Sequence, residues 1–352
     1  MTLAPHVATF VPPSSTEHPL LSICIANYNG GAYIEQCIRS VIEQECNFSF
    51  EIIVHDDCST DNSVTIIREK FPGVLLLESN SNVGFCISNN RMVAKARGQY
   101  VLLLNNDAVL REGSLKALTA YASAQPKKGI LGLPQYDLQA GSLVDRGYCF
   151  DLFMNPVPMF VEGPKEVGFV TGACLWIPRQ LWDEIGGFPP WFGSVAEDTY
   201  LCCVARLRGH SVTMLSQPGF DHWIGKNLGG GRITKNKLQS TTRRRSLSER
   251  NKTWVMIMTY PGLLLVIIFP IHMLLLGVEG LVLLASGTPW EKVKAIYLSL
   301  SKSLFSNFDL LREGRRKIQL ARQISFFEYF RKFRLIPHKL RMLIGHGIPE
   351  VR

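Results

Sequence analysis

The stretch EIIVHDDCSTDNS, residues 51–63, joins an apolar, β-rich run to a polar turn and then to a segment with helical spacing of its apolar residues. Asp, Ser and Thr at such a boundary are typical helix caps. The same order follows the β-rich runs at 20–26, 74–78 and 100–104. Strands that alternate with helices in this way predict an α/β fold with a mostly parallel sheet and helices on both of its faces.

Each predicted strand ends in a cluster of polar residues. The clusters are Asn27 to Gly31, Asp56 to Asp61, Asn80 to Gly84 and Asn105 to Asp107. Ligands of open parallel sheets bind beyond the carboxyl ends of the strands. We therefore expect these loops to converge on one cleft.

The net charge of +9 is unevenly distributed along the chain. Residues 1–230 hold 16 Lys/Arg and 22 Asp/Glu, whereas residues 231–252 hold eight and one, and residues 312–352 hold eleven and three. The basic residues thus flank one apolar region. This pattern argues against a nucleic-acid partner and favours a membrane surface.

The apolar region runs from Trp254 to Ser286, and Glu279 is its only formally charged residue. A straight helix of this length would measure about 50 Å, against ~30 Å for a hydrocarbon core, and Pro261 and Pro270 interrupt it. We interpret residues 254–286 as membrane-embedded, as a broken or re-entrant helix pair with both ends cytoplasmic. A single tilted span and a buried helix pair of a soluble protein are the alternatives.

The first nineteen residues lack a secretory signal, so we expect the globular part at the cytoplasmic face of the membrane. Four regions are predicted. They are a flexible segment at 1–19, a catalytic domain at 20–250 (nucleotide part 20–110, acceptor part 111–250), a membrane-embedded segment at 251–290, and a basic amphipathic tail at 291–352. The loop Gly229–Arg232 is interpreted as a mobile cover over the cleft, and the nine cysteines as thiols.

Three acidic residues stand where chemistry is expected. Asp57 follows the second strand and could accept a hydrogen bond from a nucleotide base or ribose. Asp107 closes an apolar strand, and a carboxylate there suits Mg²⁺ or Mn²⁺, with His222 as a further ligand. Asp198, after Glu197 at a helix start, is a candidate general base, although first-turn acids also serve the helix dipole.

Taken in order, these segments resemble the family 2 glycosyltransferases, and in particular their rhamnosyltransferase-like branch. The matching stretches are SICIANYNGGAYIEQCIRSV, EIIVHDDCSTDNS, NSNVGFCISNNRMVAKARGQYVLLLNNDAVL and VTGACLWIPRQLWDEIGGFPPWFGSVAED. The resemblance implies a GT-A fold, a nucleoside-diphosphate sugar donor, a divalent cation and inversion at the anomeric carbon. It does not extend to processive synthases, because no Gln-x-x-Arg-Trp motif follows.

On that resemblance, Asp57 corresponds to the base-binding carboxylate, Asp107 to the last residue of a D-x-D-type metal motif, and Asp198 with Glu197 to the catalytic Glu-Asp pair. His222 would complete the metal and phosphate site. Asn105 stands where many members have Asp. The expected nucleotide-binding residues are Ala26, Tyr28, Asn29, Asp57, Asn82, Gly84, Asn90 and Asn106.

The predicted activity is transfer of a single sugar to a lipid-linked or saccharide acceptor in cell-surface polysaccharide or glycolipid synthesis. Two other readings stay open. One is a nucleotidyltransferase that makes nucleotide sugars, although the Gly-rich phosphate loop of that class is absent. The other is a non-catalytic membrane scaffold that retains the fold.

Overall fold

The computed structural model describes residues 7–10, 18–125, 127, 129–223, 230–234 and 237–352, with the backbone alone at 7–10, 230–234 and 237–238. These residues form two compact units. Unit 1 comprises Met1–Gly147, Phe160–Leu201 and His210–Trp223, and unit 2 comprises Tyr148–Met159, Cys202–Gly209 and Ile224–Arg352.

The strands of unit 1 are β1 (Val7–Phe10), β2 (Leu21–Asn27), β3 (Phe50–Asp56), β4 (Leu75–Ser79), β5 (Tyr100–Asn105), β6 (Ala108–Leu110), β7 (Ile130–Gly132), β8 (Gln135–Asp137), β9 (Leu143–Asp145), β12 (Lys165–Glu166), β13 (Cys174–Pro178), β14 (Val212–Met214) and β15 (Phe220–His222). Those of unit 2 are β10 (Tyr148–Asp151), β11 (Pro156–Pro158), β16 (Gly230–Thr234), β17 (Lys237–Ser240), β18 (Phe333–Arg334) and β19 (Glu350–Val351).

The helices up to residue 207 are α1 (Ile34–Ile42), α2 (Ser63–Lys70), α3 (Phe85–Lys95), α4 (Ser114–Ala124), α5 (Arg179–Ile185), a 3₁₀ turn (Pro190–Phe192) and α6 (Glu197–Leu207). Those that follow are α7 (Thr242–Thr259), α8 (Gly262–Ala285), α9 (Trp290–Val293), a π-helical turn (Lys294–Leu298), α10 (Ser299–Ser306), α11 (Phe308–Leu320), α12 (Phe326–Phe330) and α13 (His338–His346).

A nine-stranded sheet forms the centre of unit 1, in the order β1-β4-β3-β2-β5-β13-β7-β14-β12. The four strands β4-β3-β2-β5 are parallel, as the alternation of strands and helices predicts. On the far side of β5, β13 pairs antiparallel, and β7 pairs antiparallel with β13. The parallel half therefore brings the carboxyl ends of β2, β3 and β5 to one edge.

Residues 7–10 belong to the sheet, whereas the sequence predicted a flexible segment at 1–19. They pair antiparallel with β4, from Val7 opposite Ser79 to Phe10 opposite Leu76. The outer edge of β4 offers unpaired backbone groups, and an added strand satisfies them.

The core of unit 1 lies between the sheet and its helices. On α1, Ile34, Cys37, Ile38 and Val41 recur at helical spacing and are fully buried. They pack in one cluster with residues of β2, β3 and β5. Burial of each such aliphatic side chain stabilises the fold by about 1.5–3 kcal/mol, so this packing holds the strand ends in place.

In unit 2 the tail predicted at 291–352 is folded. Arg206 donates to the backbone oxygen of Tyr329, whose side chain is buried, and Asp151 accepts from the backbone of His338. The strand β10 pairs with β18, and β17 with β19, so early and late parts of the chain share small sheets.

The apolar run predicted as one membrane-embedded segment is divided at Pro261. Its first part, Trp254 to Tyr260, ends helix α7 and lies inside unit 2, where the side chains of Trp254 and Tyr260 are at most 1% exposed. Its second part is α8, the one described helix that is long and apolar enough to cross a membrane. The difference arises because apolar composition alone does not distinguish a protein core from lipid.

Candidate active site

A buried polar network ties together the ends of β2, β3 and β5. The Asn27 amide donates to Asp56 Oδ1 at 2.7 Å and to Ser63 Oγ at 2.9 Å, and it accepts from Asn106 Nδ2 at 2.9 Å. Gly30 is required beside it, because a Cβ there would lie 2.2 Å from Asn27 Oδ1. The sequence analysis did not identify Asn27 as the residue that links these strand ends. The feature that could have identified it is an Asn at the end of an apolar strand, immediately before a turn.

Asp57 fixes the loop that precedes α3. Its two carboxylate oxygens accept from the backbone N–H groups of Val83 (2.7 Å) and Gly84 (2.8 Å), and the side chain is buried. Burial raises the pKa of this carboxyl, and the two N–H donors oppose the rise. Gly84 adopts φ +88°, which glycine tolerates without strain.

Asp107 lies in contact with His222 on the neighbouring strand. Oδ1 of Asp107 is 3.0 Å from Nε2 of His222, because β15 pairs with β6 and sets His222 opposite Ala108. Asn105 Nδ2 is 3.4 Å from the same ring nitrogen. The two predicted metal ligands thus lie together at the end of β5.

Gln135 positions the other side of the imidazole ring. Its Nε2 lies 3.1 Å from Nδ1 of His222, and the residue is buried on β8, which runs parallel to β15. This orientation leaves Nε2 directed at Asp107. Nothing in the local sequence marks Gln135, since its role depends on the pairing of two short strands distant along the chain.

The donor set suits a hard divalent cation. Among the described residues no group of three or more His, Cys, Asp or Glu could hold a metal, so these residue types would supply two ligands here, Asp107 and His222. Asn105 Oδ1 is buried with no hydrogen-bond partner in the described part of the chain, and it could serve as a third ligand. The Asp107 and His222 atoms are 3.0 Å apart, so both would reach one Mg²⁺ or Mn²⁺ ion.

Asp198 reaches the same edge through the segment before β13. Its Oδ2 accepts from Gly172 N at 3.0 Å, and Asn105 N donates to the oxygen of the next residue, Ala173, at 3.0 Å. Asp198 is half-buried, whereas the neighbouring Glu197 is buried at 6% exposure. Asp198 is therefore the better placed of the two to meet a substrate.

The backbone is strained where these carboxylates are presented. Val195 and Ala196, directly before Glu197, adopt φ of +70° and +66°, and Cys58, directly after Asp57, adopts +65°. Non-glycine residues rarely adopt such angles, and a β-branched Val does so at a cost. Strain of this kind clusters at functional sites, where the surrounding structure holds it.

The other residues predicted to bind nucleotide fall into two groups. Tyr28, Asn29 and Asn82 are exposed, Ala26 and Gly84 are half-buried, and Asn29 Oδ1 accepts from Thr60 N at 2.8 Å. Asn106 and Asn90 are engaged in the protein itself. Asn106 is buried against Asn27, and Asn90 exchanges two hydrogen bonds with the backbone of Phe188.

The loop predicted as a mobile cover, Gly229–Arg232, is described only in part. Gly229 lies outside the described residues, and Gly230–Thr234 form β16, which pairs with β17 in unit 2. The nine cysteines are free thiols, as expected.

The family model of glycosyl transferase family 2 matches residues 22–186. Two relatives come from Mycobacterium tuberculosis. An uncharacterized protein is 36% identical over 202 residues, which are 53% of this chain and 62% of that protein. An N-acetylglucosaminyl-diphospho-decaprenol L-rhamnosyltransferase is 23% identical over 52% of this chain and 69% of its own. The chain thus matches less than two thirds of the first relative.

Among solved structures, GalNAc-T7 with UDP, GalNAc and Mn²⁺ superposes with a TM-score of 0.54 at 14% identity, over 69% of this chain and 48% of that one. This likeness concerns the fold, and it agrees with the GT-A fold predicted from the sequence. With the strand order and the family match, it follows that residues 22–186 of this chain belong to glycosyl transferase family 2.

Proposed function

We propose that this chain is an inverting glycosyltransferase that moves a single sugar from a nucleoside-diphosphate sugar to a lipid-linked or saccharide acceptor in cell-surface polysaccharide or glycolipid synthesis. The observation that carries the proposal is the shared position of Asp107, His222 and Asp198 at one sheet edge. Asp198 is linked to Asn105 through Gly172 and Ala173, and Asn105 adjoins His222.

In this proposal the donor lies across the ends of β2, β3 and β5. Asp57 shapes the nucleotide-binding loop at Val83 and Gly84, and the exposed Tyr28 and Asn82 border it. Asp107, His222 and the Asn105 oxygen would hold Mg²⁺ or Mn²⁺. A bound divalent cation would neutralise charge on the departing diphosphate.

Asp198 acts as the general base. Its carboxylate takes the proton from an acceptor hydroxyl as that oxygen attacks the anomeric carbon, which is consistent with inversion. The backbone N–H groups of Gly172 and Thr199 orient the carboxylate, at 3.0 and 2.6 Å. Val195 and Ala196, with their positive φ angles, fix the direction in which α6 begins.

A relative's name and helix α8 support the proposed acceptor class and location. The relative that is named as a rhamnosyltransferase acts, by its name, on a decaprenol-linked diphosphate sugar. Helix α8 supplies an apolar surface of the kind that a membrane-bound acceptor requires. We propose that the enzyme acts at the cytoplasmic face of the cell membrane.

The direct test is Asp198→Asn in a transfer assay with the chain's nucleotide sugar, identified first by screening nucleotide sugars for thermal stabilisation in Mg²⁺ or Mn²⁺. We expect transfer to fall by roughly 10²–10⁴, since general-base catalysis contributes about this much. The matched control is Asp183→Asn, which removes an exposed carboxylate on α5 and should leave turnover unchanged. Unchanged turnover in Asp198→Asn would exclude Asp198 as the base.

A further inference from the structure

Helix α8 forms a hairpin with α7 and is held by polar contacts along one stripe. His272 Nε2 lies 2.8 Å from Thr253 Oγ1, and Glu279 pairs with Arg245. Glu279 also pairs with Lys339 of α13, at 2.6 Å. These two α8 residues lie seven positions apart, and Ile268, Leu276 and Leu283 of the same helix are also buried. One face of α8 therefore packs against protein over most of its length.

The opposite face of α8 is apolar and exposed. Leu263 is 82% exposed and Leu274 67% exposed. The face continues through these exposed residues: Leu263, Val266, Ile267, Ile271, Leu274, Leu275, Val278, Leu281 and Val282. A contiguous apolar surface of this size marks a binding surface.

A single span through the bilayer is incompatible with the contacts around α8. A spanning α8 would place the chain before residue 262 and the chain after residue 285 on opposite sides, about 30 Å apart. Yet Thr242 N donates to Arg352 O at 2.8 Å, and Arg315 Nη1 donates to Tyr260 O at 2.7 Å. Segments on both sides of α8 thus form one folded unit.

The chain after α8 does not return through the membrane either. Within the described residues, α8 alone is long and apolar enough to span. Helix α7 does not provide a second membrane-spanning segment. Its residues Trp254, Val255 and Met256 are at most 1% exposed, so they cannot contact lipid.

A second apolar feature adjoins the start of α8. A groove of about 320 Å³ is lined by Pro261, Leu264, Phe326, Phe327, Phe330 and Arg331. Phe327 is 91% exposed, and Arg331 is exposed at the groove. Between residues 290 and 341 the exposed charged side chains comprise eight Lys/Arg and four Asp/Glu. An apolar groove with Arg331 at its side, in a segment with an excess of exposed positive charge, fits an anionic lipid surface.

We infer that unit 2 binds one leaflet of an anionic membrane, with α8 lying in the plane of the interface and Phe327 inserted beside its first turn. This surface is defined by the exposed residues of α8 named above together with Phe327. The inference refines the membrane location in the proposed function, and it concerns attachment and not catalysis.

The test is flotation of the full chain with preformed vesicles of phosphatidylcholine, with and without 30% phosphatidylglycerol. The wild type should bind from aqueous solution, more tightly to the anionic vesicles and less tightly at high salt. The double variant Leu263→Asp, Leu274→Asp should bind at least about tenfold more weakly. Its thermal unfolding should match that of the wild type, since neither side chain is buried.

The matched control is Phe160→Asp, which changes an apolar residue that is 56% exposed but lies in unit 1. It should bind vesicles as the wild type does. The inference would be overturned if Phe160→Asp lost vesicle binding to the same extent as the double variant. It would also be overturned if the double variant bound vesicles as the wild type does. A dimer that the double variant dissociates, without any vesicle binding by the wild type, would overturn it too, because the partner would then be a second copy.

Trypsin treatment of sealed inside-out membrane vesicles distinguishes the topologies. The exposed Arg243 before α8 and Arg341 after it should both be cleaved from the cytoplasmic face. Protection of one of them until the vesicles are opened would show that α8 spans. Binding of the nucleotide sugar, measured in parallel, reports on the proposed function separately, because failure of attachment leaves donor binding intact.

Discussion

The strand-end edge of unit 1 and the α7–α8 hairpin of unit 2 both bury polar groups, but in different ways. At the edge, amides and hydroxyls connect the strand ends, and Asp198 stays half-buried. At the hairpin, the Glu249 carboxylate of α7 lies 2.5 Å from Lys252 Nζ and 2.7 Å from Lys339 Nζ, and Lys339 also pairs with Glu279 of α8. The first arrangement leaves carboxylates available to a ligand, and the second fixes an apolar helix to a polar one.

The largest effect is expected from removing one charge in the hairpin. In Glu249→Gln the ammonium groups of Lys252 and Lys339 lose their shared carboxylate, and Lys252 is buried, so unfolding should require about 3–5 kcal/mol less free energy. Urea denaturation measures this.

The matched control for that prediction is Glu313→Gln. Glu313 pairs with Lys317 at 3.1 Å, but both side chains are more than half exposed, so the loss of this carboxylate should leave the free energy of unfolding nearly unchanged. If both variants lost the same free energy of unfolding, the buried charges at the hairpin would stabilise the protein no more than a surface ion pair does.

The buried imidazole of His55, on β3, gives unit 1 a pH-dependent stability. Burial, and then the nearby Arg91, lower the pKa of His55 to about 4. Because the unfolded chain binds a proton near pH 6.5 and the folded one does not, stability present above pH 6.5 is lost as pH falls towards 4. The contribution reaches about 3 kcal/mol at most.

The measurement is the free energy of unfolding at pH 7 and pH 4.5, in the wild type and in His55→Gln. Glutamine keeps a polar side chain but does not titrate, so the loss between the two pH values should be smaller in the variant. The same loss in both proteins would assign the acid sensitivity to other groups.

A smaller effect is expected at the strained turn before α6. In Val195→Gly the φ of +70° is tolerated, so stability should rise by about 1 kcal/mol, while transfer slows because the direction of Asp198 is less fixed. Thermal unfolding and a transfer assay measure the two changes. Val195→Ala, which shortens the side chain and keeps the restriction on φ, is the control and should not gain stability.

The parallel half of unit 1 was predictable because each strand is encoded locally. The apolar run that opens the stretch 51–63 and the run at 100–104 correspond to Phe50–Asp56 and Tyr100–Asn105 in the structure. The antiparallel pairing of β13 with β5 was not predictable. A five-residue apolar run does not indicate whether its strand will pair parallel or antiparallel. What decides it is the path of the chain between β5 and β13.

The same limit applies to the site and to the apolar run. Asp57, Asp107 and Asp198 stand at motif positions, whereas Gln135 and Asn27 act through partners that no local pattern reveals. Within Trp254–Ser286, burial of the first part depends on contacts with α11, such as that of Gln319 with Met258 O at 3.0 Å. Such contacts cannot be inferred from amino-acid composition.

The central claim is that the edge of unit 1 separates donor binding, at Asp107, from proton abstraction, at Asp198. Calorimetry of the nucleotide sugar in Mn²⁺ tests it most directly. We predict that Asp107→Ala loses metal-dependent donor binding by at least about 100-fold, comparable to losing a metal-site interaction, and that Asp198→Asn binds the donor within a factor of about three of the wild type. Equal donor affinity in all three proteins, with the same metal dependence, would contradict the account.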